Sequence, residues 1–532
     1  MIKRQLFKST LLFAAVMSLG LASSVVGLDG TFALQKNVKK QQARIDGTKV
    51  LAWTEIFQRS KNAVVQIFTY TNDYNVLEPY KSPEQGQCRG TGFIISSDGY
   101  ILTNFHVVNQ AVALFVQLPE FGREQFDVEY VGATPSYDIA LLKFSDKSLQ
   151  DITERLASKE LPYLTLGDSD KVTEAQRVMA IGYPLGEQNI KIAVGEIAGR
   201  EATPVGECMQ TTAPINGGNS GGPFFNEYGQ VIGICVMKAV AKDIEGVAYV
   251  IPIDRAKTIL EELFKARIVH SPYWGLSISP TTEDTLRFLQ CPVEGGIYVE
   301  KVYKGSLAEK ATLKESDIVY QVNGYDVDRY GYINAPWRDN DKVRITDVLT
   351  RIPFGDNVVF SVYRNGKPLK LSVAVKNESP FAINYVYPWF DQLPDYEVIG
   401  GIVAMDLTLN HLVALGQYPQ YYDLSELMKY TKEENRFKKR VIISEVIPNS
   451  PLYKTRAIQP GSIIDQVNGI KVDTMDDFRA AIVQTIGSDI TLKTEDGAFV
   501  VLPVEDIMAE EPVLSKRYCY ELSSLFYKIL QK

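Results

Sequence analysis

Asn216-Gly217-Gly218-Asn219-Ser220-Gly221-Gly222-Pro223 sets one serine among four glycines. Without side chains, such a run can curl until successive backbone N–H groups converge, and another backbone can approach it closely. A serine hydroxyl is a weak nucleophile at neutral pH and needs an adjacent base, itself held by a third group. Taken alone, the loop also fits a plain turn or an anion-binding nest. The chain offers three histidines as bases: His106, His270 and His411. His106 follows an apolar run in Tyr100-Ile101-Leu102-Thr103-Asn104-Phe105-His106. Asp138 opens another in Ser136-Tyr137-Asp138-Ile139-Ala140-Leu141-Leu142. His270 and His411 lack any flanking nucleophile or ligand pattern and read as structural.

The chain order His106, Asp138, Ser220 is that of chymotrypsin-type enzymes. An imidazole is the natural base because its ordinary pKa of about 6.5 lies near working pH. The oxyanion site is expected at 218–220, with the N–H groups of Gly218 and Ser220 as donors and Asn219 between them.

The flanking texture agrees. From about residue 48 to 265, short β-branched or aromatic runs alternate with Gly, Asn and Asp turns, as at 63–70, 92–96, 112–117, 139–144, 177–182 and 231–237. That spacing predicts an all-β barrel or sandwich. A helix is expected over 255–266, with Ile259, Leu263 and Ala266 on one stripe. Beyond Ser271-Pro272, two stretches repeat a strand, turn, short helix and strand: 296–324 and 441–469. Both end in Gln-Val-Asn-Gly, so two diverged copies of one module are expected.

These motifs make the chain resemble the HtrA/Deg family of exported serine proteases. The resemblance is carried by Gly90-Thr91-Gly92-Phe93, Gly99 to Val108, Asp138 to Lys143, Leu166 to Asp170, Ala180 to Gly186 and Asn219-Ser220-Gly221-Gly222-Pro223. It implies a mainly β protein: a chymotrypsin-like double β-barrel protease domain followed by two α+β PDZ-like modules. His106, Asp138 and Ser220 are the implied triad, and the implied activity is ATP-independent degradation of unfolded or damaged proteins, with trimer-based assembly and chaperone action in some members. By position, Ile215 and Val236 are expected to line a small apolar substrate pocket, with Lys238 able to alter it. Tyr273-Trp274-Gly275-Leu276 is the expected carboxylate loop of the first module, and 398–403 that of the second. PDZ modules take a peptide as an added strand, so unfolded polypeptides and peptide C-termini are the expected partners. The alternative is a peptide-binding chaperone or scaffold with an idle protease domain.

The expected layout is a signal peptide at 1–27, a trypsin-like domain at 48–268, PDZ-like domains at 271–376 and 395–505, and a helical tail at 506–532. Lys3, Arg4 and Lys8 precede an apolar heart at 11–21, the charged-then-apolar order of an export signal. That stretch is short for a membrane span, which needs about 20 residues, and no second segment reaches spanning length. The expected setting is therefore periplasmic or extracellular, with no membrane span after cleavage and an N-terminal anchor if the segment is kept. A loop is expected over 330–341, a solvated helix over 426–440 and a docked tail helix over 517–529.

Composition excludes other classes. The 532 residues are 45% hydrophobic and 23% charged, enough for real cores. Against 56 Lys and Arg stand 64 Asp and Glu, a net charge of −8 with no basic run, so nucleic acid is not an expected partner. Five cysteines, Cys88, Cys208, Cys235, Cys291 and Cys519, are too few and dispersed for a disulfide scaffold. They form no metal-ligand spacing, and no cofactor is expected. A Cys88–Cys208 bridge and a pair of buried thiols both remain open from the sequence.

Overall fold

A computed structural model describes residues 49–531 except 237–247, 339–340, 389, 391–393, 421, 423 and 485–486. The expected signal segment and Lys238 lie outside the described residues.

Helix α1 (Trp53–Ser60) leads into the first barrel. Its strands are β1 (Val64–Asp73), β2 (Glu84–Ile94), β3 (Tyr100–Thr103), β4 (Ala111–Gln117), β5 (Phe126–Thr134) and β6 (Ile139–Phe144). They close in the order β1-β2-β3-β6-β5-β4. Between β3 and β4 lies the one-turn helix α2 (Phe105–Val108), and α3 (Asp146–Arg155) follows β6. The second barrel takes β7 (Arg177–Gly182), β8 (Lys191–Thr203), β9 (Gly206–Thr211), β10 (Pro223–Phe225), β11 (Val231–Val236) and β12 (Ala248–Pro252), closed as β10-β11-β12-β9-β8-β7. Closure leaves neither sheet an open edge. Helix α4 (Ile253–Lys265) buries Ile253, Ala256, Ile259, Leu260 and Leu263; Ile259 and Leu263 of the expected stripe are among them, whereas Ala266 is the C-cap just past its end. One apolar cluster fills the first barrel and continues through Met179, Ile181, Phe225 and Ile234 of the second. That shared packing fixes the two barrels against each other and so fixes the cleft between them.

The first module is a sheet of β13 (Leu276–Ser279), β14 (Ile297–Val302), β15 (Ile318–Val322), β19 (Asn357–Arg364) and β20 (Lys367–Ala374), with β16 (Tyr325–Asp326) beside β15. Its helices are α5 (Glu283–Phe288), α6 (Leu307–Lys310) and α7 (Ile345–Thr350). The stretch expected as a loop instead enters a hairpin, β17 (Tyr332–Asn334) with β18 (Lys342–Arg344). Its buried Ile333 and Val343 join the module core, which the aromatic and charged composition masked.

The second module orders β21 (Tyr396–Ile399), β22 (Ile402–Asp406), β23 (Val441–Val446), β24 (Ile463–Val467), β26 (Asp489–Thr494) and β27 (Phe499–Pro503), with β25 (Ile470–Lys471) beside β24. Helices α8 (Leu409–Gly416), α9 (Pro451–Thr455), α10 (Met475–Gln484), α11 (Val504–Tyr518) and α12 (Ser524–Leu530) complete it. Where a solvated helix was expected at 426–440, only the 3-10 turns Met428–Thr431 and Glu433–Asn435 form. The tail helix does dock, through Leu525, Phe526 and Ile529. No described helix is long and apolar enough to cross a membrane.

All five cysteines are free thiols, which removes the Cys88–Cys208 bridge. Cys88 lies on β2 of one barrel and Cys208 on β9 of the other, where it sits 3.4 Å from the Thr203 hydroxyl.

Candidate active site

Asp138 ends the 3-10 turn Pro135–Tyr137 in a left-handed conformation, φ 54° and ψ 44°. Aspartate tolerates this region better than branched residues do. The turn aims its carboxylate across the barrel end at α2. There Oδ1 accepts the His106 backbone N–H at 2.9 Å, and Oδ2 lies 2.8 Å from His106 Nδ1. Nδ1 therefore carries the donated proton in the neutral ring, leaving Nε2 as the basic lone pair. Asn104 Nδ2 donates to the Asp138 carbonyl at 2.8 Å, which ties the strand end before α2 to the same turn.

Ser220 projects from the glycine loop of the second barrel and is 3% exposed. Its carbonyl accepts the Thr91 N–H at 2.9 Å, so the loop is stitched to the first barrel. The Thr91 hydroxyl donates to the Gly218 carbonyl at 2.6 Å and accepts the Tyr183 N–H at 3.0 Å. Two glycines are required here. A Cβ on Gly218 (φ 95°) would sit 2.3 Å from the Tyr183 carbonyl, and one on Gly221 (φ 83°) 2.2 Å from both Thr103 Oγ1 and the Thr91 carbonyl. Among the described residues Ser220 Oγ has no hydrogen-bond partner, so the structure joins His106 to Asp138 but leaves the hydroxyl unlinked to the imidazole.

Asn219 lies between the two expected oxyanion donors, Gly218 and Ser220. The Asn219 N–H donates to the Asn216 carbonyl at 3.0 Å within the turn, so it is not a donor to substrate. The two expected pocket residues belong to different packing clusters. Ile215 is buried in the second-barrel core with Ala213 and Phe224. Val236 is half-buried at the end of β11 and packs against the other cluster.

In the first module, among the described residues β13 pairs only with β14 and so presents a free strand edge after Tyr273-Trp274-Gly275-Leu276. Gly275 takes φ 51°, and its would-be Cβ lies 2.4 Å from Ser306 Cβ. Tyr273 donates its hydroxyl to Glu433 at 2.7 Å, linking this loop to the second module. In the second module the matching edge is filled. β21 pairs with β22 from Tyr396↔Met405 to Ile399↔Ile402, with Gly400 and Gly401 as the turn. Arg479 of α10 pairs with Asp395 and Glu397, and Glu511 accepts the Gly400 N–H at 2.7 Å. The expected carboxylate loop at 398–403 is therefore a hairpin turn already engaged by its own chain. Only the pairing partner of β22 could reveal this, and strand pattern does not encode it.

Family models of a trypsin-like peptidase domain and a PDZ domain match residues 90–234 and 387–523. A probable periplasmic serine endoprotease, DegP-like, of Chlamydia trachomatis is 25% identical over 437 residues, covering 81% of this chain and 77% of that relative. Its namesakes in Chlamydia pneumoniae and Hahella chejuensis are 28% and 27% identical, over 82% and 81% of this chain and 82% and 83% of their own. The solved structure of the HtrA-type protease AlgW with decapeptide aligns at 24% identity and TM-score 0.46, over 62% of this chain and 100% of that one. A trypsin-like domain with two closed barrels, a PDZ domain behind it and similarity to DegP-like serine endoproteases along four-fifths of its length make this chain a serine endopeptidase.

Proposed function

We propose that the chain is an exported, ATP-independent endopeptidase that degrades unfolded or damaged polypeptide through an acyl-enzyme. Ser220 Oγ attacks the scissile carbonyl while His106 Nε2 takes its proton. Asp138 holds the imidazole tautomer and stabilises its charged form. The N–H groups of Gly218 and Ser220 receive the developing oxyanion. His106 then gives its proton to the leaving amine, and water repeats the sequence on the acyl-enzyme. The observation that carries this reading is the His106–Asp138 pair, 2.8 Å at the ring and 2.9 Å at the backbone, beside the Ser220 loop. The Ser220–His106 bond closes when substrate fills the cleft, since catalytic hydrogen bonds are often long before substrate binds.

The free edge of β13 and the N–H groups of the 273–276 loop suit a peptide C-terminus as an added strand. Export to the periplasm is supported by the charged-then-apolar start at 1–27 and by the relatives' printed names. The proposed organisation is a protease domain at 48–268, PDZ-like domains at 271–376 and 395–505 and a tail at 506–532, assembled from trimers. Ile215 and Val236 are proposed to bias cleavage toward bonds after Val, Ala, Leu or Ile.

Ser220→Ala is expected to abolish degradation of reduced casein; turnover equal to the parent protein would refute the mechanism. The unlinked Ser220 hydroxyl favours one second reading, a peptide-binding scaffold with an idle protease. Failure of a fluorophosphonate to label Ser220, even with peptide added, would support it.

A further inference from the structure

The segment between β20 and β21 bonds to the second module and packs on the protease. On the module side, Asn410 of α8 donates Nδ2–H to the Val386 carbonyl at 2.9 Å, and its Oδ1 accepts the Val386 N–H at 2.9 Å. The Leu409 N–H donates to the Asn384 carbonyl at 2.9 Å. On the protease side, the Tyr387 ring meets Phe105 edge-on, centroids 5.3 Å apart at 89°. Phe390, 4% exposed, meets Phe105 at 6.1 Å and stacks on Tyr130 at 4.3 Å. Tyr130 is itself fixed, donating its hydroxyl to the Arg267 carbonyl at 2.5 Å beneath the Arg267 guanidinium.

Phe105 directly precedes His106 in α2, which is four residues long. So short a helix has almost no ladder of its own, and its orientation follows what its side chains pack on. Asp138 restrains the imidazole from one end. Phe105 restrains the turn from the other, and both rings that meet it, Tyr387 and Phe390, lie 282 and 285 positions further along the chain. With Ser220 Oγ unlinked, the approach of Nε2 to the hydroxyl depends on small movements of this turn.

We propose that Tyr387 and Phe390 are positioning residues for His106, through which the seating of the second module sets the distance between base and nucleophile. The proposal rests on the triad reading given above. A displaced second module carries Val386 with it, withdraws both rings from Phe105 and loosens the histidine turn.

The test measures kcat and KM for a short fluorogenic peptide, and the pH profile of fluorophosphonate labelling, in the full-length protein. Phe390→Ala is expected to lower kcat on the order of tenfold with KM within about twofold, the scale of a small misplacement of a reacting group. The acid limb of the labelling profile moves, and Phe390→Tyr restores both. Asn410→Ala, which leaves the protease untouched, changes kcat in the same direction. Unchanged kcat and acid limb in folded Phe390→Ala and Asn410→Ala overturn the proposal, as does a change confined to KM or one accounted for by lost folded fraction. Ser220→Ala in parallel separates the two readings. Activity surviving there sinks the triad, whereas activity lost there with an unaltered Phe390→Ala profile sinks only the positioning role.

Discussion

At the scale of single residues, the site depends on atoms that have one acceptable partner. Asp138 binds His106 through both carboxylate oxygens, one at the ring and one at the backbone. Asp138→Asn keeps the size but replaces one acceptor by a donor, which turns the imidazole to the wrong tautomer. The expected result is a fall in kcat of about 10³–10⁴-fold with KM little changed, read by steady-state peptide hydrolysis. Glu511 is a second such residue. It is 1% exposed, accepts the Gly400 N–H and the Tyr520 hydroxyl, and burial raises its pKa to about 7. Between its ordinary 4.5 and about 7, the folded chain therefore holds a proton that the unfolded chain has released. The group costs nothing below that window, and its stability penalty grows as pH rises through it, to about 3 kcal/mol above pH 7. The urea midpoint of the second module is expected to fall from pH 5 to pH 8, and Glu511→Gln to flatten that slope. A midpoint that climbs over the same interval counts against the assignment.

Among elements, the two modules share a sheet plan but differ at one edge. β13 ends its sheet, whereas the corresponding strand β22 is covered by β21. Strand addition needs unpaired N–H and C=O groups, which β13 offers along its outer edge and β22, paired with β21, does not. Titration calorimetry with a peptide bearing a free C-terminal carboxylate is expected to give one site per chain. Gly275→Val should weaken that site more than tenfold, because φ 51° disfavours a branched residue and its Cβ would strike Ser306. Two sites per chain, or affinity untouched by the change, would contradict the self-filled edge. The helix elements were less legible than the strands. Charge and spacing over 426–440 favoured a helix, yet local turns win there because Tyr430 and Arg440 reach across to Glu495 and Arg436 to the Ile383 carbonyl. Those tertiary bonds outweigh a weak local propensity.

Across the whole molecule, each module is tied to the protease by different chemistry. The first is held mainly by ion pairs, Arg351 to Asp170 and Arg338 to Glu207, with Arg200 also on Glu207, beside one apolar contact from Phe354. The second is held by apolar contacts. Leu77 and Tyr80, from the connection between β1 and β2, bury themselves in its clusters, while Tyr387 and Phe390 pack back on the histidine turn. The Arg351–Asp170 pair is largely buried, 24% and 14% exposed at its side chains, so salt screens it little and removing one partner leaves the other charge buried and unpaired. Arg351→Ala is accordingly expected to increase proteolytic nicking between protease and first module, leaving the second module's seat protected. Limited proteolysis with fragment mass mapping checks this, and equal nicking at both junctions would refute it.

The sequence by itself determined what depends on neighbours along the chain. A nucleophile loop needs glycines where a Cβ would strike Tyr183 or Thr103, so its requirement is written in residue types at fixed spacing. Strand periodicity and the repeated Gln-Val-Asn-Gly turns likewise disclose barrels and modules, because alternation and turns are local properties. Tertiary structure alone decided which strand covers β22, which N–H of the glycine loop is already spent on Asn216, and which rings support Phe105. Each of those outcomes is a competition among groups distant in sequence. It is settled by which surfaces meet when the domains pack, and no single segment carries that information.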